Sequence, residues 1–145
     1  MHQRGVNMLK QVSIYAENKK GTMKHITGVL AEEGINILGS VTNDSAEFGI
    51  IRMVTSDAEK AVQALEKEGY YCRLTPVLAV EVTDEVGNLH KLLAALDESN
   101  INVDYLYLSF NRETGRPIMV FHAEGPYEVE SCLSNKGFIM TENLA

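Results

Sequence analysis

Two hydrophobic rhythms alternate along the chain. In Lys10 to Glu17 the apolar residues fall at every second position, with Val12, Ile14 and Ala16 on one face and Gln11, Ser13 and Tyr15 on the other. Period two predicts a strand with one buried face. After the polar bend Asn18-Lys19-Lys20-Gly21 the spacing changes. Met23, Ile26, Val29 and Leu30 follow the three-and-four rhythm of a helix, which Thr22 or a residue near it is placed to cap. Gly34 stands where a left-handed helix terminator belongs. Ile35 to Thr42 and Phe48 to Val54 read as the strands of a hairpin, with turn chemistry in Asn43-Asp44-Ser45-Ala46-Glu47. Ser56 or Asp57 then caps a second helix with the stripe Ala58, Ala61, Val62 and Leu65, Gly69 closes it, and Tyr70 to Thr75 is a fourth strand.

The same plan then recurs, with Gly87 standing 66 positions after Gly21. Leu78, Val80 and Val82 take the places of Val12, Ile14 and Ala16; Leu89, Leu92 and Leu96 take those of Met23, Ile26 and Leu30. Asn100-Ile101-Asn102-Val103 replaces Gly34-Ile35-Asn36-Ile37, with Asn standing in for Gly because both tolerate the left-handed conformation. The turn at Asn111 to Gly115 is two residues longer, after which the offset is 68, so Gly137-Phe138 matches Gly69-Tyr70.

A tandem duplication of strand-helix-strand-strand-helix-strand predicts an α+β protein of two ferredoxin-like units, each an antiparallel sheet with helices on one face. The expected division is a tail over residues 1–7, one unit over 8–75 and a second over 76–145, connected by Thr75-Pro76-Val77. Ile101 to Phe110 is apolar on both faces, with Val103, Tyr105 and Tyr107 on one side and Leu106 and Leu108 on the other. A second layer or a partner chain is therefore expected to cover the face away from the helices.

Composition narrows the function. With 145 residues and 45% apolar content the chain has enough material for folded cores. A net charge of -7 and scattered Lys and Arg argue against a nucleic-acid partner. No apolar run approaches the roughly 18 to 20 residues that cross a bilayer, and the first residues lack the anatomy of a secretory signal, so a cytoplasmic protein is expected. Cys72 and Cys132 occupy non-equivalent positions and read as reduced, small apolar residues.

No metal motif, cofactor motif or spaced catalytic cluster is legible. Lys19-Lys20 lacks a surrounding phosphate-loop pattern, His25 and His90 read as exposed helical residues, and Asn43-Asp44-Ser45 reads as a turn although it fits a glycosylation sequon.

The strand-helix order, the polar-x-x-Gly bend and the helix-end Gly-Ile-Asn-Ile resemble a tandem pair of ACT domains from about Met8 to Thr141. Asp84 and Gly87 match that family's Asp-x-Pro-Gly bend, Asn18 and Gly21 match it more loosely, and Lys20 and Val86 stand where its proline would be. The resemblance implies a regulatory sensor without catalysis, in which each bend lies against the second strand of a neighbouring domain to form an amino-acid site. The residues it implies are Asn18, Lys20, Gly21, Thr22 and Met23 with Asn36, Ile37 and Leu38 in the first copy. In the second they are Asp84, Val86, Gly87, Asn88 and Leu89 with Asn102, Val103 and Asp104.

The chemistry suits a zwitterion. Unpaired N–H groups at a helix start receive a carboxylate, while an acid or amide at the start of the bend, helped by strand carbonyls, receives an ammonium group. The first bend is basic and the second acidic, so the two sites are expected to differ, with the acidic one binding more tightly.

The expected partners are a free amino acid and a second copy of the chain. Two other readings stay open. One is an adaptor subunit of an amino-acid biosynthetic enzyme, with a vestigial ligand site. The other is a small ferredoxin-like hydrolase of the acylphosphatase kind, which would want an Arg-bearing phosphate loop after its first strand.

Overall fold

A computed structural model describes residues 8–17, 19–44 and 48–144 of the chain. Asn18, the 1–7 tail and the Ser45-Ala46-Glu47 part of the predicted turn lie outside the described residues. The elements run in the order β1 (Leu9–Glu17), α1 (Thr22–Glu32), β2 (Ile37–Asp44), β3 (Phe48–Thr55), α2 (Ala58–Lys67), β4 (Tyr71–Glu81), α3 (Asn88–Glu98), β5 (Val103–Phe110), β6 (Pro117–Ala123), α4 (Pro126–Asn135) and β7 (Ile139–Met140). The predicted order is reproduced in both copies. Where two strands and a connection were expected between Tyr70 and Val82, however, one strand of 11 residues runs straight through Pro76.

Two compact units result, Lys10–Thr75 and Pro76–Leu144, with Met8 and Leu9 grouped with the latter. In the first unit the strand order is β2-β3-β1-β4. β1 pairs antiparallel with β3 (Ile14 opposite Ile51), and β3 pairs antiparallel with β2 (Val41 opposite Arg52). In the second unit β5, β6, β4 and β7 follow the equivalent order, with Leu106 opposite Phe121, Val80 opposite Met119 and Val80 also opposite Met140. Both are ferredoxin-like, and in both the second strand lies at an edge.

The helices cover one face of each sheet, as the spacing of apolar residues requires. Val12, Ile14, Ile51 and Met53 from the strands pack with Ile26, Leu30, Ala61 and Leu65 from the helices. Leu78, Val80, Met119 and Phe121 pack in the same way with Leu92, Leu96, Val129 and Leu133. Each fully buried aliphatic side chain of this kind contributes about 1.5–3 kcal/mol to folding.

Two expectations change on the other face. Gln11 and Ser13 were placed on an open side of β1 and are buried, with Gln11 Nε2 donating to Ser13 Oγ at 3.1 Å. This hydrogen bond meets the need of buried polar groups for partners. On β5, Tyr107 is buried and Leu106 packs against the core, whereas Leu108 is exposed although it stands opposite the buried Met119.

Helix ends follow local chemistry. Asp57 caps α2 by accepting a hydrogen bond from Lys60 N at 3.1 Å. Ser56, the other candidate, accepts one from Asn36 N at 2.9 Å instead. Gly34 and Asn100 both take the left-handed conformation after their helices, at φ 71° and 59°, as their shared repeat position predicts. Asn100→Val should lower stability by about 1–2 kcal/mol in chemical denaturation, because a branched side chain is strained there, while Asn100→Gly should match or exceed the wild type.

Candidate functional site

The strand-to-helix bends are copies of one another at the level of single hydrogen bonds. In the first, Lys19 N donates to Glu17 O at 3.0 Å, Thr22 N to Lys19 O at 3.3 Å and His25 N to Gly21 O at 2.9 Å. In the second, Glu85 N donates to Thr83 O at 3.0 Å, Asn88 N to Glu85 O at 3.3 Å and Lys91 N to Gly87 O at 2.9 Å. The glycines are left-handed at φ 92° and 87°, each immediately before its helix. A Cβ added at either would meet nothing within 4 Å. Glycine is therefore required here by its backbone angle and not by crowding.

Thr22 does not cap α1, as the spacing had allowed. It is the first helical residue, and neither α1 nor α3 has a side-chain cap. Among the described residues the N–H groups of Met23 and Lys24, and of Leu89 and His90, accordingly have no acceptor. Two open donors at the positive end of a helix dipole make each bend a place for an anion or a carboxylate.

The flanking side chains set the copies apart. Lys19 and Lys20 are exposed beside the first bend, Lys19 lying 3.5 Å from Glu17 Oε2. Asp84 and Glu85 are exposed beside the second, where Asn88 Nδ2 also ties the bend by donating to Thr83 O at 2.9 Å. Apolar side chains sit at both tips. Met23 was expected in the core and is 41% exposed, and its counterpart Leu89 is 37% exposed. Val86 is fully exposed.

The strand residues implied with these bends lie where the edge strands bulge. On β2 the pairing skips from Ile37 to Gly39, leaving Leu38 as the extra residue; on β5 it skips from Val103 to Tyr105, leaving Asp104. A bulge bends an edge strand and re-aims its groups, and such distortions are common beside functional sites. Leu38 is buried and Asp104 is exposed. Asn36 is held by Ser56 through two bonds, since Ser56 N also donates to Asn36 O at 2.9 Å, while Asn102 is exposed. In the first unit bend and edge strand touch, Thr42 Oγ1 lying 3.9 Å from Met23 Sδ.

Two histidine arrangements were not read from the sequence. His122 Nδ1 lies 2.7 Å from Asp104 Oδ2, and its ring stacks on Tyr105 with centroids 5.5 Å apart. These residues face one another across paired strands, so only the register brings them together. His25 was expected to be simply exposed, yet its Nδ1 lies 2.5 Å from Tyr70 Oη and its Nε2 3.3 Å from Glu68 Oε1.

A groove of about 700 Å³ between α1 and α2 begins at Gly21 and is lined by charges of both signs, including Lys24, Glu33, Lys60 and Glu68. A smaller cavity of about 180 Å³ adjoins the second bend. No group of His, Cys, Asp and Glu among the described residues could hold a metal ion, and no helix among them is long and apolar enough to cross a membrane.

The chain matches the model of the ACT domain pair family over residues 7–145. Among solved structures, protein BT0572 from Bacteroides thetaiotaomicron is 28% identical with a TM-score of 0.85, covering 95% of this chain and 96% of that one. The ligand-free regulatory subunit of aspartate kinase from Thermus thermophilus is 16% identical with a TM-score of 0.65, covering 90% of this chain and 95% of that one. The regulatory subunit of aspartate kinase from Thermus flavus is 19% identical with a TM-score of 0.63, covering 88% of each chain. No curated protein matched the chain.

Gly21→Ala and Gly87→Ala should each cost about 1–2 kcal/mol in denaturant unfolding, and by similar amounts, because both replace glycine at the same left-handed angle. Burial, reinforced by Glu66, pushes the Cys72 thiol from its ordinary 9.0 up to about 11. At pH 8 roughly one Cys72 in a thousand is then a thiolate, so a thiol reagent should modify half-buried Cys132 well before Cys72 in the native protein. The raised value means the neutral thiol favours folding below about pH 9, and this contribution is lost as pH climbs towards 11.

Proposed function

The chain belongs to the ACT domain pair family, and from that premise we propose that it is a non-catalytic, cytoplasmic regulatory protein that senses a free amino acid. The observation that carries this reading is the duplicated bend, with a left-handed glycine and two open helix N–H groups in each copy. Those donors suit an α-carboxylate. The bulged edge strands suit the other end of the ligand, through Asp104 in the second unit and through backbone near Ile37 and Leu38 in the first.

In this reading a ligand bridges a bend and an edge strand of neighbouring domains within a dimer of the chain. It favours one packing by its differential affinity for it, and the change of packing is the signal. Met23, Val86 and Leu89, exposed at the bend tips, supply apolar surface that such a closure would bury.

A second reading, an adaptor for an enzyme of amino-acid metabolism, is supported by Leu108 and Phe110. These are apolar and exposed on the edge strand β5 and are available to a partner chain. The names of the Thermus relatives, regulatory subunits of aspartate kinase, give it a model.

A thermal-shift screen of the full chain against the common amino acids tests the main reading. A ligand at a hundred times its dissociation constant adds about 2.7 kcal/mol, a shift of several degrees. Melting temperatures unchanged across the panel, with a stoichiometric enzyme recovered in a pull-down, would favour the adaptor.

Calorimetry with the amino acid so identified should find a larger loss of affinity for Gly87→Asp than for Gly21→Asp, since the acidic bend is proposed as the tighter site. Equal losses would sink that asymmetry.

A further inference from the structure

The groove of about 700 Å³ lies within the first unit, between α1 and α2. Gly28, midway along α1, lines it and is exposed. Nothing among the described residues calls for glycine there. Its backbone is right-handed, a Cβ added to it would meet nothing within 4 Å, and the repeat position in α3 holds Ala94. Glycine inside a helix is less favourable than alanine, so this one is a local cost without a local reason. What it permits is the close approach of another backbone to the outer side of the helix.

The charges on α1 also run the wrong way for a helix on its own. The dipole favours acids in the first turn and bases in the last, and α2 follows that rule with Glu59 and Lys67. In α1 the first turn has no acid and the last has no base. Lys24 and His25 stand near its start, and Glu32 and the capping Glu33 stand at its end. Lys24 and Glu32 lie four residues on either side of Gly28 and so share its face, and both are exposed. Among the described residues neither forms an ion pair.

We propose that this face binds a second copy of the chain, with the two α1 helices antiparallel about a two-fold axis at Gly28. The pattern is its own complement, as such an axis requires. Each Lys24 then meets the Glu32 of the other copy, and each helix end gains the charge that suits its dipole. The groove is balanced, with Lys24, Lys60 and Lys67 against Glu32, Glu33 and Glu68, in a chain whose net charge of -7 otherwise drives copies apart. The contact goes beyond amino-acid sensing and does not depend on it, since it uses the middle of α1 and side-chain charges, not the open N–H groups or an edge strand.

Sedimentation equilibrium of the full chain over a concentration series, in low and high salt, tests it. An 11-residue helix offers an interface at the small end of the stable range, so reversible association in the micromolar range is expected, weaker in high salt. Gly28→Gln should abolish that association and raise the melting temperature of the dissociated chain, because it replaces a helical glycine that nothing crowds. Lys24→Glu and Glu32→Lys should each weaken association by roughly tenfold or more, since each sets like charges opposite one another in both halves of the contact.

An equimolar mixture of those two single variants should associate again, because every pair across a mixed dimer is then opposite in sign. Association lost in Gly28→Gln and regained in the mixture supports the proposal. A monomer at every concentration, association that the three variants leave unchanged, or a mixture that stays as weak as its components would overturn it.

Discussion

A strand that ends at a sheet's rim and continues as a helix across its face must reverse direction within a few residues, and in this protein a glycine near φ 90° makes that possible twice. The left-handed angle costs glycine almost nothing and most other residues about 1–2 kcal/mol, with Asn an exception. Its consequence is more than a turn. Among the described residues no side chain caps either helix, and two N–H donors per bend have no acceptor. The turn that builds the fold is thus also the feature that makes it receptive to a carboxylate.

The edge strands carry the complementary distortion. Both lose register at one residue, Leu38 or Asp104, at the same point of the repeat. Because the extra residue changes the face on which later side chains project, the bulge lets Tyr105 stack on His122 while Asp104 reaches the same ring. The first unit has Leu38, Gly39 and Val54 at these positions. Its bulge is apolar, and a ligand there would meet backbone in place of charge.

The two halves have therefore kept one backbone and divided its chemistry. The first unit is basic at its bend, apolar at its bulge and bridged by His25 and Tyr70; the second is acidic at its bend and polar at its bulge, with Lys91 and Phe138 at the repeat positions of that bridge. Such divergence costs little when the core positions are unchanged, and Val12, Ile14, Ile26 and Leu30 are matched by Leu78, Val80, Leu92 and Leu96, all buried.

By itself the sequence determined the element order, the duplication, both helix-covered cores and the left-handed positions at Gly34 and Asn100. Each of these depends on local backbone preference or on the period of apolar residues, which neighbouring positions carry in full. It also located the bends, because glycine after a polar run is a local signal. What it left open depended on contacts far apart in the chain. That Gln11 and Ser13 are buried, that Met23 is exposed, that β4 runs unbroken through Pro76 and that Thr22 caps nothing were decided by tertiary packing. The same holds for Asp104 with His122 and for His25 with Tyr70, 18 and 45 positions apart. Register and packing bring such residues together, and a one-dimensional pattern has no means of encoding which distant side chains will share a face.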